Sequence, residues 1–217
     1  MDPREGVYVR YNAEELYAIF CLESHRHRSI LVGEDLGTVP PEVPEAMHIH
    51  NVHRIYVLQF MLQPNPHDAI QPAFPGSFAN VNTHDLPPFA AFWSGLDIED
   101  RVDLGTLDRS AAENEHRQRQ AALQALVQFL KQNGRLQDDT GPLAVLKACL
   151  SILCNGPASA VLANLEDFWL ETKTQNVPGT WHERPNWQRK ARYSLEAIKR
   201  MPEVLAILNE MNRAAQF

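Results

Sequence analysis

The sequence predicts an α/β fold built on a parallel sheet. Two observations carry this expectation. First, short apolar runs stop at carboxylates beside turn residues. Ser29-Ile30-Leu31-Val32 runs into Gly33-Glu34-Asp35, then Gly37 and Pro40-Pro41; Phe78-Ala79-Asn80-Val81 runs into Thr83-His84-Asp85, then Pro87-Pro88. Such runs are long enough for strands and too short for helices, and the Gly and Pro residues after them mark turns. Second, segments of helical period lie between and beyond these runs. In parallel α/β proteins the carboxyl ends of the strands face the ligand crevice. Glu34 and Asp85 are therefore candidate acids or bases, although a strand-end pair such as Glu34-Asp35 serves equally to cap a following helix or to face solvent.

The elements follow in order. Glu14 to Arg26 reads as a helix with Leu16, Ile19, Phe20 and Leu22 on one face and Asn12 as its N-cap. The basic cluster His25-Arg26-His27-Arg28 suits the negative end of that helix dipole. A strand then leads to Glu34, and a short helix follows over Pro41–Met47. Arg54–Leu62 is nearly continuous in apolar residues, as buried parallel strands are. Gln63–Gly76 carries Pro64, Pro66, Pro72 and Pro75 and reads as a long, site-facing loop. A third strand over Phe78–Thr83 precedes a helix over Leu86–Ser94, whose core face is Phe89, Phe92 and Trp93. Asp97–Asn133 is mostly helical: Ser110 caps its main helix, Glu113 completes a capping box, and Asn133-Gly134 stops it. Gly141–Leu153 is a further helix, ended by Asn155-Gly156-Pro157. Ala158–Asn164 reads as the last strand, with Glu166-Asp167 just beyond. Asn176–Trp187 is a loop, and Arg192–Asn212 forms terminal helices. Four strands of a (β/α)8 TIM barrel would have this layout, and such a barrel needs eight.

Composition limits the partners. The 217 residues carry a net charge of -7, which argues against nucleic acid and against an anionic membrane surface. A neutral sugar polymer needs no such field. The polar start Met1-Asp2-Pro3-Arg4-Glu5 has no signal-peptide pattern, and no apolar run is long enough to span a bilayer. Cys21, Cys149 and Cys154 each sit in an apolar helical context, as reduced thiols of a cytoplasmic protein do. His48, His50 and His53 lie close together, but no fourth ligand or acid partner accompanies them, so no metal is expected there. No phosphate-binding glycine motif occurs.

Several motifs carry a resemblance to a known family. They are Gly33-Glu34-Asp35-Leu36-Gly37-Thr38-Val39-Pro40, Val57-Leu58-Gln59-Phe60, Thr83-His84-Asp85-Leu86-Pro87, Asn176-Val177-Pro178-Gly179-Thr180 and Pro185-Asn186-Trp187. The opening Gly6-Val7-Tyr8-Val9-Arg10-Tyr11 and Leu22-Glu23-Ser24-His25-Arg26 belong to the same set. In this order and at this spacing they resemble the 4-alpha-glucanotransferases (amylomaltases, or disproportionating enzymes) of glycoside hydrolase family 77. The resemblance implies the C-terminal half of a TIM (β/α)8 barrel with a helical insertion. Residues 1–96 would hold the barrel strands and helices with the catalytic motifs, 97–157 the insertion, and 158–217 the last strand, an active-site loop and the terminal helices.

The implied reaction moves an α-1,4-glucan segment to the 4-hydroxyl of another glucan by a retaining double displacement, without a cofactor. Such chemistry needs a carboxylate nucleophile and a carboxylic acid, standing roughly 5–5.5 Å apart. By resemblance Glu34 is the general acid/base and Asp85 the transition-state stabiliser. His84, Asn176, Pro178 and Gln59 are implied substrate-binding residues. Gln59 could as well close a barrel layer, and Asn176-Pro178 could be a purely structural loop. The family's nucleophile is an Asp in an Arg-Ile-Asp-His-type motif, which is absent from this chain; Asp35, Asp68 and Asp97 do not match it, and Asp35 is expected to hydrogen-bond backbone at its own turn. Pro185-Asn186-Trp187 reads as packing. The expected partners are α-1,4-glucans (maltodextrins, glycogen or starch fragments) and a complementing N-terminal half, and the chain alone is expected to be inactive. The alternatives are a non-catalytic maltodextrin-binding or complementing fragment, a remnant with open strand edges, and, more distantly, a hydrolytic α-amylase-type enzyme.

Overall fold

The computed structural model describes residues 6–7 and 9–215. The polar start Met1–Glu5 and Tyr8 of the opening motif lie outside the described residues. The chain divides into two compact units, Met1–Ile55 and Tyr56–Phe217.

In the first unit, helix α1 (Ala13–His27) leads to strand β1 (Val32–Gly33), then helix α2 (Glu42–Ile49) and the start of strand β2 (His53–Val57). Strands β1 and β2 are parallel, with Val32 opposite His53 and Gly33 opposite Arg54. The side chain of Met47 from α2 lies against Gly33, where a Cβ would meet its methyl at 2.6 Å. Asn12 takes the N-cap position of α1, but its side chain donates to Glu15 at 2.8 Å instead of accepting from the helix backbone. The apolar stripe of α1 does not become a core. No residue of the helix is buried, and Leu16, Ile19, Phe20 and Leu22 are all exposed. His50 stacks on Tyr17 with ring centroids 4.4 Å apart, and the Cys21 thiol donates to the His50 carbonyl at 3.8 Å.

In the second unit β2 ends early. The expected strand over Arg54–Leu62 stops at Val57, and Leu58–Phe60 forms a 3-10 turn. A short apolar run fits a buried turn as well as a strand, so periodicity could not separate the two. Strand β3 (Ser77–Asn80) and strand β4 (Ala160–Leu162) pair in parallel, Phe78 opposite Ala160. Between them lie α3 (Phe89–Ser94), α4 (Leu96–Asp103), α5 (Arg109–Gln132) and α6 (Pro142–Cys154); a 3-10 turn (Leu165–Trp169), α7 (Leu195–Ile198) and α8 (Pro202–Ala214) follow β4.

Helix α6 is the centre of this unit. It buries Val145, Leu146, Ala148, Cys149, Leu150 and Leu153, and packs on α3, α5, α8 and β4. Burial pushes the Cys149 thiol up to about 12, which keeps it protonated and inert. Helix α5 begins before the expected Ser110: Asp108 caps it by accepting from Ala111 N–H at 2.8 Å. Ser110 sits inside the first turn, so the capping-box spacing is met in sequence but not used. The expected terminal helices are α7 and α8; Pro202 opens α8 and, lacking an N–H, cannot extend α7 into it. The loop Gln63–Gly76 is tied down by Tyr56, whose hydroxyl donates to the Gln71 carbonyl at 2.6 Å. No helix among the described residues is long and apolar enough to cross a membrane.

Candidate active site

Glu34 follows β1 directly, and its side chain is exposed. One oxygen, Oε1, accepts the Leu36 N–H at 2.6 Å. Asp35 turns the other way. Its side chain is 2% exposed, Oδ2 accepts from Arg54 Nε at 2.5 Å and Oδ1 from the Ile55 N–H at 3.1 Å. The two neighbouring carboxylates therefore divide: Asp35 holds the adjacent strand β2, and Glu34 faces outward. The turn hydrogen bond expected of Asp35 belongs to Glu34, because alternation along an extended chain sends successive side chains to opposite faces.

The second group gathers at the ends of β3 and β4. Segment Thr83–Pro88 leaves β3, and the loop 171–189 follows the 3-10 turn after β4. Asn176 Nδ2 donates to Asp85 Oδ1 at 2.6 Å, joining residues 91 apart in sequence. His84 Nε2 lies 3.4 Å from Asp85 Oδ2. The Trp187 ring stands 5.4 Å from the His84 ring, tilted by 49°. Of the candidates in this unit, Asp85, His84 and Asn176 thus come together.

Pro178 and Gln59 have structural contacts of their own. Pro178 is exposed at the second position of a turn closed by Thr180 N–H on the Val177 carbonyl at 3.2 Å. Gly179 follows with φ +81°, the Pro-Gly pattern of a type II turn. Gln59 is 8% exposed, and its Nε2 donates to the Pro87 carbonyl at 3.2 Å, so it supports the Asp85 segment from beneath.

Two residues of the Pro185-Asn186-Trp187 motif are more than packing. The Asn186 side chain accepts from Val177 N–H at 3.0 Å and donates to the Thr180 carbonyl at 3.1 Å, closing the loop that carries Asn176. Trp187 is 61% exposed and adopts φ 60°. A left-handed backbone at so large a residue is uncommon, and it presents the indole beside His84. A carboxylate flanked by an amide, an imidazole and an open indole suits a ligand with hydroxyls on its edges and an apolar face.

From the sequence, Asp167 reads only as an acid just beyond the last strand. It is 2% exposed, and Oδ2 accepts Asn82 Nδ2 at 2.8 Å while Oδ1 accepts the Phe89 N–H at 2.7 Å. Burial raises its pKa to about 6, against the lowering effect of those two hydrogen bonds. A carboxyl whose pKa is higher folded than unfolded contributes stability that is fully present below the unfolded value, near 4, and lost as pH rises through 6. Between pH 5 and 7.5 this group should cost about 1 kcal/mol of stability. Asp167→Asn should remove that component, a difference measurable by urea unfolding at the two pH values. Among the described residues no group of three or more His, Cys, Asp or Glu side chains could hold a metal ion.

Known proteins resemble this chain. The chain is 30% identical over 202 residues to a 4-alpha-glucanotransferase of Haemophilus influenzae, covering 89% of this chain and 29% of that protein. It is 34% identical over 195 residues to a 4-alpha-glucanotransferase of Mycobacterium bovis, covering 86% of this chain and 26% of that protein. The chain therefore spans less than a third of the length of these curated relatives. Among solved structures, an amylomaltase from Corynebacterium glutamicum matches with a TM-score of 0.75 at 23% identity, over 96% of this chain and 32% of that one. That likeness concerns the fold, an α/β arrangement with parallel strands. Residues 1–196 match the family model for glycoside hydrolase family 77, described as 4-alpha-glucanotransferase, and this chain belongs to that family.

Proposed function

We propose that this chain carries the acid/base and stabilising carboxylates of a 4-alpha-glucanotransferase and receives the nucleophile from elsewhere. Glu34 is the general acid/base. As the acid it protonates the glycosidic oxygen while the C1–O bond of the donor breaks and C1 bonds to the nucleophile's carboxylate. As the base it then takes the proton from the acceptor 4-hydroxyl, whose oxygen displaces that carboxylate. Asp85 faces the positive charge that develops at the sugar ring, and His84 and Asn176 bind the same sugar. Gln59 and Pro178 shape the segments that present them. Exclusion of water from the covalent intermediate favours transfer over hydrolysis.

The observation that carries this reading is the 2.6 Å hydrogen bond between Asp85 and Asn176, since it joins two motifs named independently from the sequence. A half-barrel with residues 97–157 as an insertion fits the parallel strand pairs and the helices between β3 and β4. The open apolar residues of α1, with Val32 of β1 41% exposed and Leu162 of β4 51% exposed, favour a complementing N-terminal half of the barrel as partner. The same surfaces favour the second reading, a maltodextrin-binding or complementing fragment without turnover. A cytoplasmic location belongs to the proposal, as it suits free thiols and a glucan substrate.

Titration of the purified chain with maltotriose tests the sugar site. Signals of His84, Asp85, Asn176 and Trp187 in nuclear magnetic resonance spectra should shift in the millimolar range, with no glucose released. No shift at any of the four would contradict the assignment of the site.

A further inference from the structure

We propose that the 3-10 turn after β4 is the positioning element of this site, with Glu166 and Asp167 each holding one of the two segments that meet at Asp85 and Asn176. The proposal rests on the reading of Asp85 as the functional carboxylate, and it assigns roles to residues outside the motifs that identify the family.

The Asp167 carboxylate spans the whole Asp85 segment. Its two oxygens hold the Asn82 side chain on one side of the segment and the Phe89 N–H on the other. Phe89 opens α3, where the N–H has no partner within the helix. The six residues between, Thr83 to Pro88, are thus pinned at both ends by one group. Glu166, 8% exposed, does the same for the other segment. It takes a two-pronged ion pair from Arg189 Nη1 and Nη2 at 2.7 and 2.8 Å, and Gln175 Nε2 lies 3.2 Å from both its oxygens. Arg189 also donates to the Lys173 carbonyl at 2.8 Å, and the Gln175 backbone carbonyl accepts the Trp187 N–H at 2.8 Å. Glu166 therefore fixes the chain just before Asn176 and, through Gln175, the backbone of Trp187.

The turn itself is anchored. Asn164 caps it by accepting the Glu166 N–H at 3.2 Å, Phe168 is buried in the core, and Leu170 ends it with φ 54°. Two adjacent buried carboxylates are a costly way to pack a turn, since apolar residues of similar size would often be at least as stable. Their partners lie on the two segments whose tips touch, and this juxtaposition is what the pair secures. These are positioning residues: neither touches the proposed sugar site directly.

Hydrogen exchange of the full chain tests the proposal without any sugar. Asp167→Ala should raise deuterium uptake of residues 83–88 at least about tenfold, with a smaller change over 173–187; Glu166→Ala should do the reverse. Helix α6 should stay protected in both. Asp167→Asn should keep uptake over 83–88 within about twofold of wild type, because the Asn82 amide can rotate and present its otherwise unpartnered Oδ1 to the new amide. Maltotriose affinity should fall in both Ala variants and recover in Asp167→Asn. Unchanged uptake over 83–88 in Asp167→Ala would overturn the proposal. Should α6 lose protection in that variant, Asn82→Ala decides, since it removes one bond only: a rise of about threefold over 83–88 is expected, and none would overturn the proposal. If wild type itself binds no maltotriose, the sugar assignment fails while the exchange results still decide the bracing.

Discussion

Glu34→Gln should lower kcat by about 10²–10⁴-fold when this chain is paired with a nucleophile-bearing segment, the range that general acid–base catalysis supplies. The substitution keeps the shape of the side chain. It also keeps an oxygen to accept the Leu36 N–H, so β1 and the turn after it should be unaffected and the thermal midpoint unchanged. What is lost is the proton. A donor with a good leaving group, such as an α-glucosyl fluoride, needs little protonation in the first step. The deficit on that donor should therefore shrink in formation of the covalent intermediate and persist in transfer to the acceptor. Wild-type rates on maltotriose from Glu34→Gln would remove Glu34 from the mechanism. Asp35 gives the contrast: its oxygens serve Arg54 and the Ile55 N–H, so Asp35→Asn should act on folding and spare the chemical step.

Asp85→Asn should cost roughly 10²–10³-fold in kcat with a smaller change in KM, as expected when a preorganised group aimed at transition-state charge is removed. The asparagine retains an oxygen for Asn176 Nδ2, so the contact between the two segments survives and only the charge is taken away. Asp85→Ala removes the charge and the contact together, and should also raise KM. Asn176→Ala leaves the carboxylate in place with one hydrogen bond fewer, a loss of about 1 kcal/mol, or roughly fivefold in kcat/KM. Steady-state kinetics on the three variants separates charge from placement. Equal effects for Asp85→Asn and Asn176→Ala would mean that Asp85 acts by holding the loop and not by its charge.

These residues differ in how well the sequence announces them. Glu34 and Asp85 stand out as candidates because each closes an apolar run at a turn, which marks a strand end, though acids at such places also cap helices or face solvent. Parallel pairing, the break at Asn155-Gly156-Pro157 and the core face of Phe89 and Phe92 are legible for similar local reasons. Asn176 is visible as part of a loop motif, but its partner is not, since the contact crosses 91 residues. Glu166 and Asp167 read only as two acids just beyond a strand. Their burial depends on Arg189, Gln175, Asn82 and the Phe89 N–H, none of which a local pattern can assign to them. Trp187 reads as packing, yet it stands exposed beside His84. The stripe on α1 carries the reverse lesson: amphipathic spacing marks a face to be covered without naming the cover.

Maltotriose disproportionation, with glucose and longer maltodextrins as the readout, tests whether the proposed acid/base and stabilising carboxylates of this chain need a nucleophile from elsewhere. The purified chain should be silent, and addition of a separately expressed segment carrying the nucleophile should produce both products, with activity lost again in Glu34→Gln. Turnover by the chain alone would contradict the account, because an acid within these residues would then serve as the nucleophile.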